Sequence, residues 1–148
     1  MSISAANGSH RLVILLVEDE ALVRYSVAAC LRDAGFVVAE AASGEEAIAL
    51  CQSGMAIDVV FTDINLLGAA TGWDVAEAFR MDRPSVPVLY TSGKSIDLQR
   101  CVPGSVFVAK PYCGSDVVKA CQRAATSLSV KHRDRADRRT GAFAPFQR

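Results

Sequence analysis

The chain has 148 residues, of which 51% are hydrophobic, and it carries sixteen basic and sixteen acidic side chains. This length supports one domain with an ordinary hydrophobic core. Residues 131–148 hold six basic and two acidic side chains, so this segment has a net charge of +4 and the rest of the chain −4, and such an acidic body lacks the clustered basic face that nucleic-acid binding requires.

The first predicted elements are an arm, a strand and a helix. Residues 1–10 are polar and contain a glycine, which favours a flexible arm. The continuous apolar run Leu12–Val17 predicts a buried strand. A helix follows, and Gly35 supplies its C-terminal stop. This helix is predicted from apolar residues that recur at helical spacing, namely Leu22, Val23, Val27, Cys30 and Leu31.

The middle of the chain repeats the alternation of strand and helix. Residues 36–40 predict a brief strand, and Ser43 then offers an N-cap for a second helix that runs to about residue 52. The run Ile57–Thr62 is rich in β-branched and aromatic residues and predicts a buried parallel strand. A third helix is predicted to begin at Gly72 and to end at Pro84.

The last third of the chain is less regular. Residues 88–90 predict a strand, and residues 94–101 have such poor helical periodicity that we expect a short or irregular fourth helix. Residues 106–108 predict the fifth strand, and Ser115 is expected to cap the last helix. Residues 130–148 are rich in arginine and aspartate, and we expect a basic, disordered tail there.

Reactive side chains stand at the carboxyl ends of four of the five predicted strands. They are Glu18 and Asp19, Asp63, Thr91, and Lys110. Alternating strands and helices over residues 11–129 predict one doubly wound α/β domain with a parallel sheet and right-handed crossovers. Ligands bind outside the carboxyl ends of the strands of such sheets. We therefore expect these side chains to share one site.

The chemistry of this group is coherent. Three carboxylates cannot all stay ionised in one pocket without a cation, and a hard cation bound by oxygen ligands describes Mg²⁺. With that charge neutralised, Asp63 can attack a phosphoryl group as a carboxylate nucleophile and form an aspartyl phosphate. Lys110 and the Thr91 hydroxyl can then meet the phosphoryl oxygens as their charge develops.

The cysteines, the histidines and the N-terminus exclude other classes of site. Five cysteines without any Cys-x-x-Cys pair argue against a disulfide framework and a zinc site. His10 and His132 lie in the terminal segments, so the predicted domain holds no histidine base. An apolar signal segment is absent and residues 12–17 are too few to span a bilayer. We expect a cytoplasmic protein that does not enter a membrane.

Four motifs occur in order along the chain: Val17-Glu-Asp-Glu, Phe61-Thr-Asp63, Tyr90-Thr-Ser-Gly93 and Val108-Ala-Lys-Pro111. Together they resemble the receiver domain of bacterial two-component response regulators, over about residues 12–128. The resemblance implies a flavodoxin-like five-stranded sheet with the strand order 2-1-3-4-5. It also implies a phosphoacceptor module that is not an enzyme in the usual sense.

The resemblance further assigns roles to individual residues. Asp63 becomes the phosphoacceptor, supplied by the phosphohistidine of a histidine kinase or a histidine phosphotransfer protein. The ligands of Mg²⁺ become Asp19, Asp63 and the Asn65 carbonyl, with Glu18 acting through water. The phosphoryl group would be bound by Thr91 and Lys110. Phe107 falls at the family's aromatic switch, where it would repack behind Thr91 and favour the buried state, and Lys110-Pro111 falls at a cis peptide bond.

Several alternatives stay open. Only about twenty residues follow the last predicted helix, so we expect a stand-alone receiver that signals to an unknown downstream protein or acts as a phosphoryl relay or sink. A haloacid-dehalogenase-like phosphotransferase also uses an aspartate nucleophile with Mg²⁺, but it needs an acid where this chain has Asn65. A nucleotide binder would need a glycine-rich turn after the first strand. A pseudo-receiver would have lost one of Asp63, Thr91 or Lys110.

Overall fold

Five parallel strands form one sheet in the computed structural model of the chain, which describes the backbone of residues 10–140 and the side chains of residues 10–128. The strands are β1 (Val13–Val17), β2 (Val37–Ala41), β3 (Val59–Asp63), β4 (Val88–Ser92) and β5 (Val106–Ala109). Their spatial order is β2-β1-β3-β4-β5, and every neighbouring pair is parallel. The predicted flavodoxin-like sheet of order 2-1-3-4-5 is confirmed.

Helices cover both faces of this sheet. They are α1 (Ala21–Asp33), α2 (Gly44–Gln52), α3 (Gly72–Asp82) and α4 (Gly114–Thr140). Successive strand residues point to opposite faces, so Leu15 and Val60 pack in a core with α2 and α3, whereas Leu16 and Phe61 pack in a second core with α1 and α4. The central strands are thus buried on both sides, which explains their nearly continuous hydrophobic sequences.

Local signals at the helix ends explain several of the boundaries. The Ser43 hydroxyl accepts a hydrogen bond from the Glu46 N–H at 3.1 Å and caps α2 as predicted. Thr71 and Asp74 form a capping box at the start of α3, in which each side chain accepts a hydrogen bond from the other residue's backbone N–H. Gly35, with a φ of 96°, follows α1 in a left-handed conformation that suits glycine.

The crossover between β4 and β5 contains a 3-10 turn of three residues, Leu98–Arg100, where the other crossovers contain α-helices. The expectation of a short or irregular fourth helix is therefore confirmed. Apolar side chains here lack helical spacing, so tertiary contacts must hold the segment in place. One of these contacts comes from Tyr90, whose buried hydroxyl accepts a hydrogen bond from the Val102 N–H at 3.2 Å.

We expect the substitution Tyr90→Phe to lower the free energy of unfolding by about 1 to 3 kcal/mol, because it leaves the buried Val102 N–H without its acceptor. Chemical denaturation measures this loss, and the Val102 amide should exchange faster with solvent. Tyr25→Phe is the matched control, since Tyr25 is exposed on α1. Equal stability of the Tyr90→Phe and Tyr25→Phe variants would contradict the role given to this hydrogen bond.

Three features differ from the prediction. Leu22, one of the residues used to predict α1, is 86% exposed. The buried stripe of α1 contains Val27 and Leu31, and Leu22 falls outside it because successive helical residues are rotated by roughly 100°.

Ser115 does not precede the last helix but lies in its first turn, since α4 begins at Gly114. The Asp116 carboxylate accepts the Cys113 N–H there at 3.2 Å.

The third difference concerns the end of the domain. The helix α4 continues to Thr140, whereas the sequence predicts disorder from residue 130. Residues 115–140 contain neither glycine nor proline and are rich in alanine, arginine and lysine, so nothing in the sequence breaks the helix. Residues 1–9 and 141–148 lie outside the described residues, and the domain limits 11–129 stay a prediction. None of the helices within residues 10–140 is both long and apolar enough to cross a bilayer.

Candidate functional site

The register of the sheet brings the predicted site residues to one edge. Asp63 ends β3 directly beside Thr91 of β4, and the Ile64 N–H donates to the Thr91 carbonyl at 3.0 Å. Glu18 follows β1, and the Lys110 N–H, just past β5, donates to the Ser92 carbonyl at 3.1 Å. The strands β1, β3, β4 and β5 thus end at the same edge of the sheet. The structure brings these side chains together as the sequence predicts.

Three carboxylates cluster at this edge. Glu18, Asp19 and Asp63 each offer an oxygen, and the three oxygens lie within 4.8 Å of one another. Glu18 is only 1% exposed and Asp63 is 5% exposed. Burial of several negative charges at such short range is costly unless a cation compensates them.

Lys110 supplies a positive charge to this cluster. Its Nζ atom lies 2.6 Å from Asp63 Oδ2 and 3.4 Å from Glu18 Oε2. Burial by itself would lower the pKa of Lys110, but the hydrogen bond to Asp63 and the charges of Asp63 and Glu18 outweigh it and raise that pKa. Lys110 is therefore an ammonium group at physiological pH. It is held beside Asp63, which the sequence predicts to be the nucleophile.

Glu18 is held near its point of titration. The pKa of its carboxyl group is raised to about 7, with burial as the largest cause and the neighbouring charge of Asp63 as a further one, against the Glu20 N–H and Lys110, which lower it. One Glu18 oxygen, Oε1, accepts that Glu20 N–H at 3.2 Å. Lys110 thus pairs with two of the three clustered acids, so the site suits a further cation.

The loop after β3 is fixed by hydrogen bonds to the same acids. The Asn65 N–H donates to Asp63 Oδ1 at 3.1 Å, and its side-chain amide donates to Ser92 Oγ at 3.0 Å. The Leu67 N–H donates to Asp19 Oδ2 at 2.9 Å. Farther along, Glu45 of α2 accepts the N–H groups of residues 69 and 70. The loop is therefore held on the acidic cluster at one end and on α2 at the other.

Two contributions to this loop were missed by the sequence reasoning. Ser92 orients the Asn65 amide, and its position between Thr91 and Gly93 in a recognised motif is the signal that could have found it. Glu45 lies near the start of α2, where its charge was interpreted only as favourable to the helix dipole. Its contact with the loop depends on the packing of α2, which the local sequence does not encode.

Thr91 lies beside Asp63 in the sheet, on the neighbouring strand β4. Its side chain is fully buried, and its hydroxyl oxygen has no hydrogen-bond partner among residues 10–128. An open cleft of about 490 Å³ lies at this edge of the sheet. The cleft is lined by Asp19, Glu20, Asp63, Asn65, Leu67, Gly93, Lys94 and Lys110. A buried hydroxyl without a partner is rare and points to a group that binds here.

The sequence model of the response regulator receiver domain matches residues 14–122. The chain belongs to the receiver domain family. Among relatives, the transcriptional regulatory protein PdtaR of Mycobacterium tuberculosis is 31% identical over 115 residues, which cover 75% of this chain and 55% of that protein. The regulatory protein SphR of Synechococcus elongatus is also 31% identical, over 74% of this chain and 47% of that protein. The chain thus spans about half the length of these curated relatives.

Solved receiver domains resemble the structure closely. A response regulator receiver protein from Sinorhizobium medicae has a TM-score of 0.76 and 34% identity, with coverage of 79% of this chain and 96% of that one. The receiver domain of the hybrid histidine kinase CckA has a TM-score of 0.67 and 30% identity, over 76% of this chain and 98% of that one. This receiver domain therefore shares the fold of two-component signalling modules.

The cluster of this receiver domain fits a divalent metal ion. Its donors are carboxylate oxygens, which hard cations such as Mg²⁺ prefer, and they converge from two strand ends within 4.8 Å. The Asn65 backbone lies in the same cleft. A second sign of fit is the grouping of charge, since three acids lie within 4.8 Å of one another and Lys110 pairs with only two of them.

Phe107 differs from the expected conformation of this receiver domain. It pairs with Tyr90 across β5 and β4 but is 36% exposed, whereas we expected it to favour the buried state. The crossover before β5 holds only a three-residue 3-10 turn, which is too short to cover the side of β5 on which Phe107 lies. The expectation of a buried ring is wrong here, while a switching role for Phe107 and Thr91 stays a prediction.

Proposed function

We propose that this receiver domain accepts a phosphoryl group on Asp63 in a Mg²⁺-dependent reaction and signals by contact with other proteins. The observation that carries the proposal is the position of the Asp63 carboxylate. It lies at the end of β3, opens into the cleft and is flanked by the Lys110 ammonium at 2.6 Å and by two further acids. A carboxylate in this position can act as a nucleophile toward a group that binds in the cleft.

The transfer is a displacement at phosphorus. An Asp63 carboxylate oxygen forms the new P–O bond while the P–N bond of a phosphohistidine breaks, and the electron pair of that bond leaves with the imidazole. Lys110 contributes its ammonium group to the phosphoryl oxygens, and the buried Thr91 hydroxyl is a donor without another partner among residues 10–128. Both groups stabilise charge that develops during transfer.

Metal binding would involve the same acids. We assign Asp19, Asp63 and the Asn65 carbonyl as direct ligands, with Glu18 acting through water. Bound Mg²⁺ supplies positive charge that neutralises the carboxylates and the incoming phosphoryl oxygens. Asp19 is already oriented by the Leu67 N–H, and Glu18 by the Glu20 N–H, so the chain preorganises two of these acids through its own backbone.

The proposed partners are a histidine kinase or a histidine phosphotransfer protein upstream, and an unidentified protein downstream. The match to 12% of the sensor kinase CckA of Brucella abortus, at 31% identity, supports a setting in histidine-kinase signalling. The five cysteines are free, which favours a cytoplasmic location. A role as a phosphoryl relay or sink uses the same chemistry and is the second candidate.

A haloacid-dehalogenase-like enzyme is disfavoured. That chemistry needs a second acid two residues after the nucleophile, where this chain has Asn65. The Asn65 side-chain amide donates to Ser92 Oγ at 3.0 Å, and this hydrogen bond helps to fix the loop after β3. We therefore propose that the chain turns over its own phosphoryl group and has no separate substrate.

Labelling of the chain with acetyl phosphate should require Mg²⁺. Without a cation, the clustered carboxylates repel the anionic donor, because three acids lie within 4.8 Å of one another at the place where the donor must approach. Intact-mass measurement should show one added phosphoryl group with Mg²⁺ and at least about a tenfold smaller fraction with excess chelator. Equal labelling in chelator would contradict the metal dependence, and an absence of labelling by both acetyl phosphate and a set of kinases would contradict the proposed function.

A further inference from the structure

Three buried side-chain atoms in residues 10–128 have no hydrogen-bond partner: Arg83 Nη1, Thr91 Oγ1 and the Tyr112 hydroxyl. Arg83 lies at the C-terminal end of α3, where it pairs with Asp82 and stacks on Phe79. The two hydroxyl groups lie at the other end of the domain, where the strands end. Thr91 has a place in the proposed phosphoryl transfer, whereas Tyr112 has none.

Tyr112 is fixed beside the acidic cluster. It follows Lys110 by two residues, and its ring meets Phe61 edge to face, with the ring centroids 6.0 Å apart. Phe61 precedes Asp63 by two residues on β3. The pKa of Tyr112 is raised to about 12, with burial as the largest cause and the charge of Glu18 as the next. Leu16 pairs with Phe61 in the sheet, so Glu18, two residues after Leu16, lies on the same face of the sheet as the Tyr112 ring.

We expect Glu18 to lose a hydrogen-bond donor when Asp63 becomes phosphorylated. Its Oε2 atom lies 3.4 Å from Lys110, which makes the much shorter contact of 2.6 Å to Asp63. Once Asp63 carries a phosphoryl group, the Lys110 ammonium turns to the phosphoryl oxygens and the Glu18 contact weakens further. Glu18 is almost fully buried, so water cannot readily replace the lost donor.

We propose that Tyr112 is a positioning residue whose hydroxyl donates a hydrogen bond to the Glu18 carboxylate in the phosphorylated state. This inference rests on the proposed function of Asp63. In the unmodified chain the hydroxyl has no partner, so it contributes nothing to folding. In the phosphorylated state it holds the Glu18 side chain in place of Lys110.

The test compares Tyr112→Phe with Tyr90→Phe, using beryllofluoride as a stable mimic of the phosphoryl group at saturating Mg²⁺. Titration calorimetry should give about tenfold weaker beryllofluoride binding for Tyr112→Phe, since a hydrogen bond to a charged group is lost. Without ligand, thermal unfolding of Tyr112→Phe should match or exceed the wild-type melting temperature, because an unpaired buried hydroxyl is removed. Tyr90→Phe should show the reverse, a lower melting temperature and unchanged binding.

The other possible outcomes separate a failure of the proposed function from a failure of the inference about Tyr112. If the wild-type chain does not bind beryllofluoride, the proposed function fails and the inference about Tyr112 fails with it. If the wild-type chain binds and Tyr112→Phe binds equally well, the inference is overturned while the proposed function stands. A melting temperature of Tyr112→Phe that falls as far as that of Tyr90→Phe would show that the hydroxyl already has a partner, and this too would overturn the inference.

Discussion

Asp63→Asn is expected to abolish phosphoryl transfer to the chain. The amide that replaces the carboxylate is neutral and a far weaker nucleophile, and no other carboxylate in the described site combines burial with the 2.6 Å contact to Lys110. We expect the phosphorylated fraction to fall at least about a hundredfold, to the background of the measurement. Intact mass after incubation with acetyl phosphate and Mg²⁺ detects the change, and peptide mapping locates the adduct in the wild-type chain.

Asp33→Asn is the matched control for this substitution. Asp33 is an exposed acid at the end of α1, and its replacement should leave labelling unchanged. The Asp63→Asn chain should also stay folded, because it removes a negative charge from the neighbourhood of Glu18 and leaves Lys110 free to pair with Glu18. A phosphoryl adduct that persists at wild-type level in a folded Asp63→Asn chain would refute the assignment.

The convergence of the predicted site residues at one edge was predictable because it depends on the ends of strands. A buried strand is visible in the sequence as an apolar run, and parallel strands end at one edge whatever their exact length. Asp63, Thr91 and Lys110 follow such runs directly, so their convergence follows from the topology. The short fourth crossover was predictable for a related reason, since residues 94–101 lack the periodicity of a helix that packs on a sheet.

Other features depend on tertiary contacts that leave no local signal. Phe107 is apolar, but its exposure is set by what packs beside β5, and the short crossover before this strand does not cover it. The unpaired hydroxyl of Tyr112 is likewise invisible in the sequence, because a hydrogen-bond vacancy exists only once all neighbours are placed. The continuation of α4 beyond residue 130 was missed since a charged composition was taken as disorder despite the absence of helix breakers.

Gly72→Ala is expected to destabilise the domain severely and to disturb the phosphoacceptor. A Cβ atom at this position would lie 2.1 Å from the Asp63 carbonyl oxygen and 2.7 Å from Ile64 Cα. Both neighbours are backbone atoms, which cannot move aside as a flexible side chain can. The Gly72 N–H also donates to the Ile64 carbonyl at 2.9 Å, so a shift of α3 that relieved the clash would break this bond.

We expect Gly72→Ala to lower the free energy of unfolding by about 3 kcal/mol, at the upper end of overpacking costs. Denaturant unfolding measures this loss. Gly93→Ala is the matched control for stability, because an added Cβ there meets its nearest neighbour, Lys110 Cβ, at 3.9 Å. The folded fraction of Gly72→Ala should also be labelled more slowly, since the displaced backbone carries Asp63. Wild-type stability of Gly72→Ala would mean that α3 can move away from β3 at little cost, and the close approach of the two elements would then not be what positions the Asp63 carboxylate.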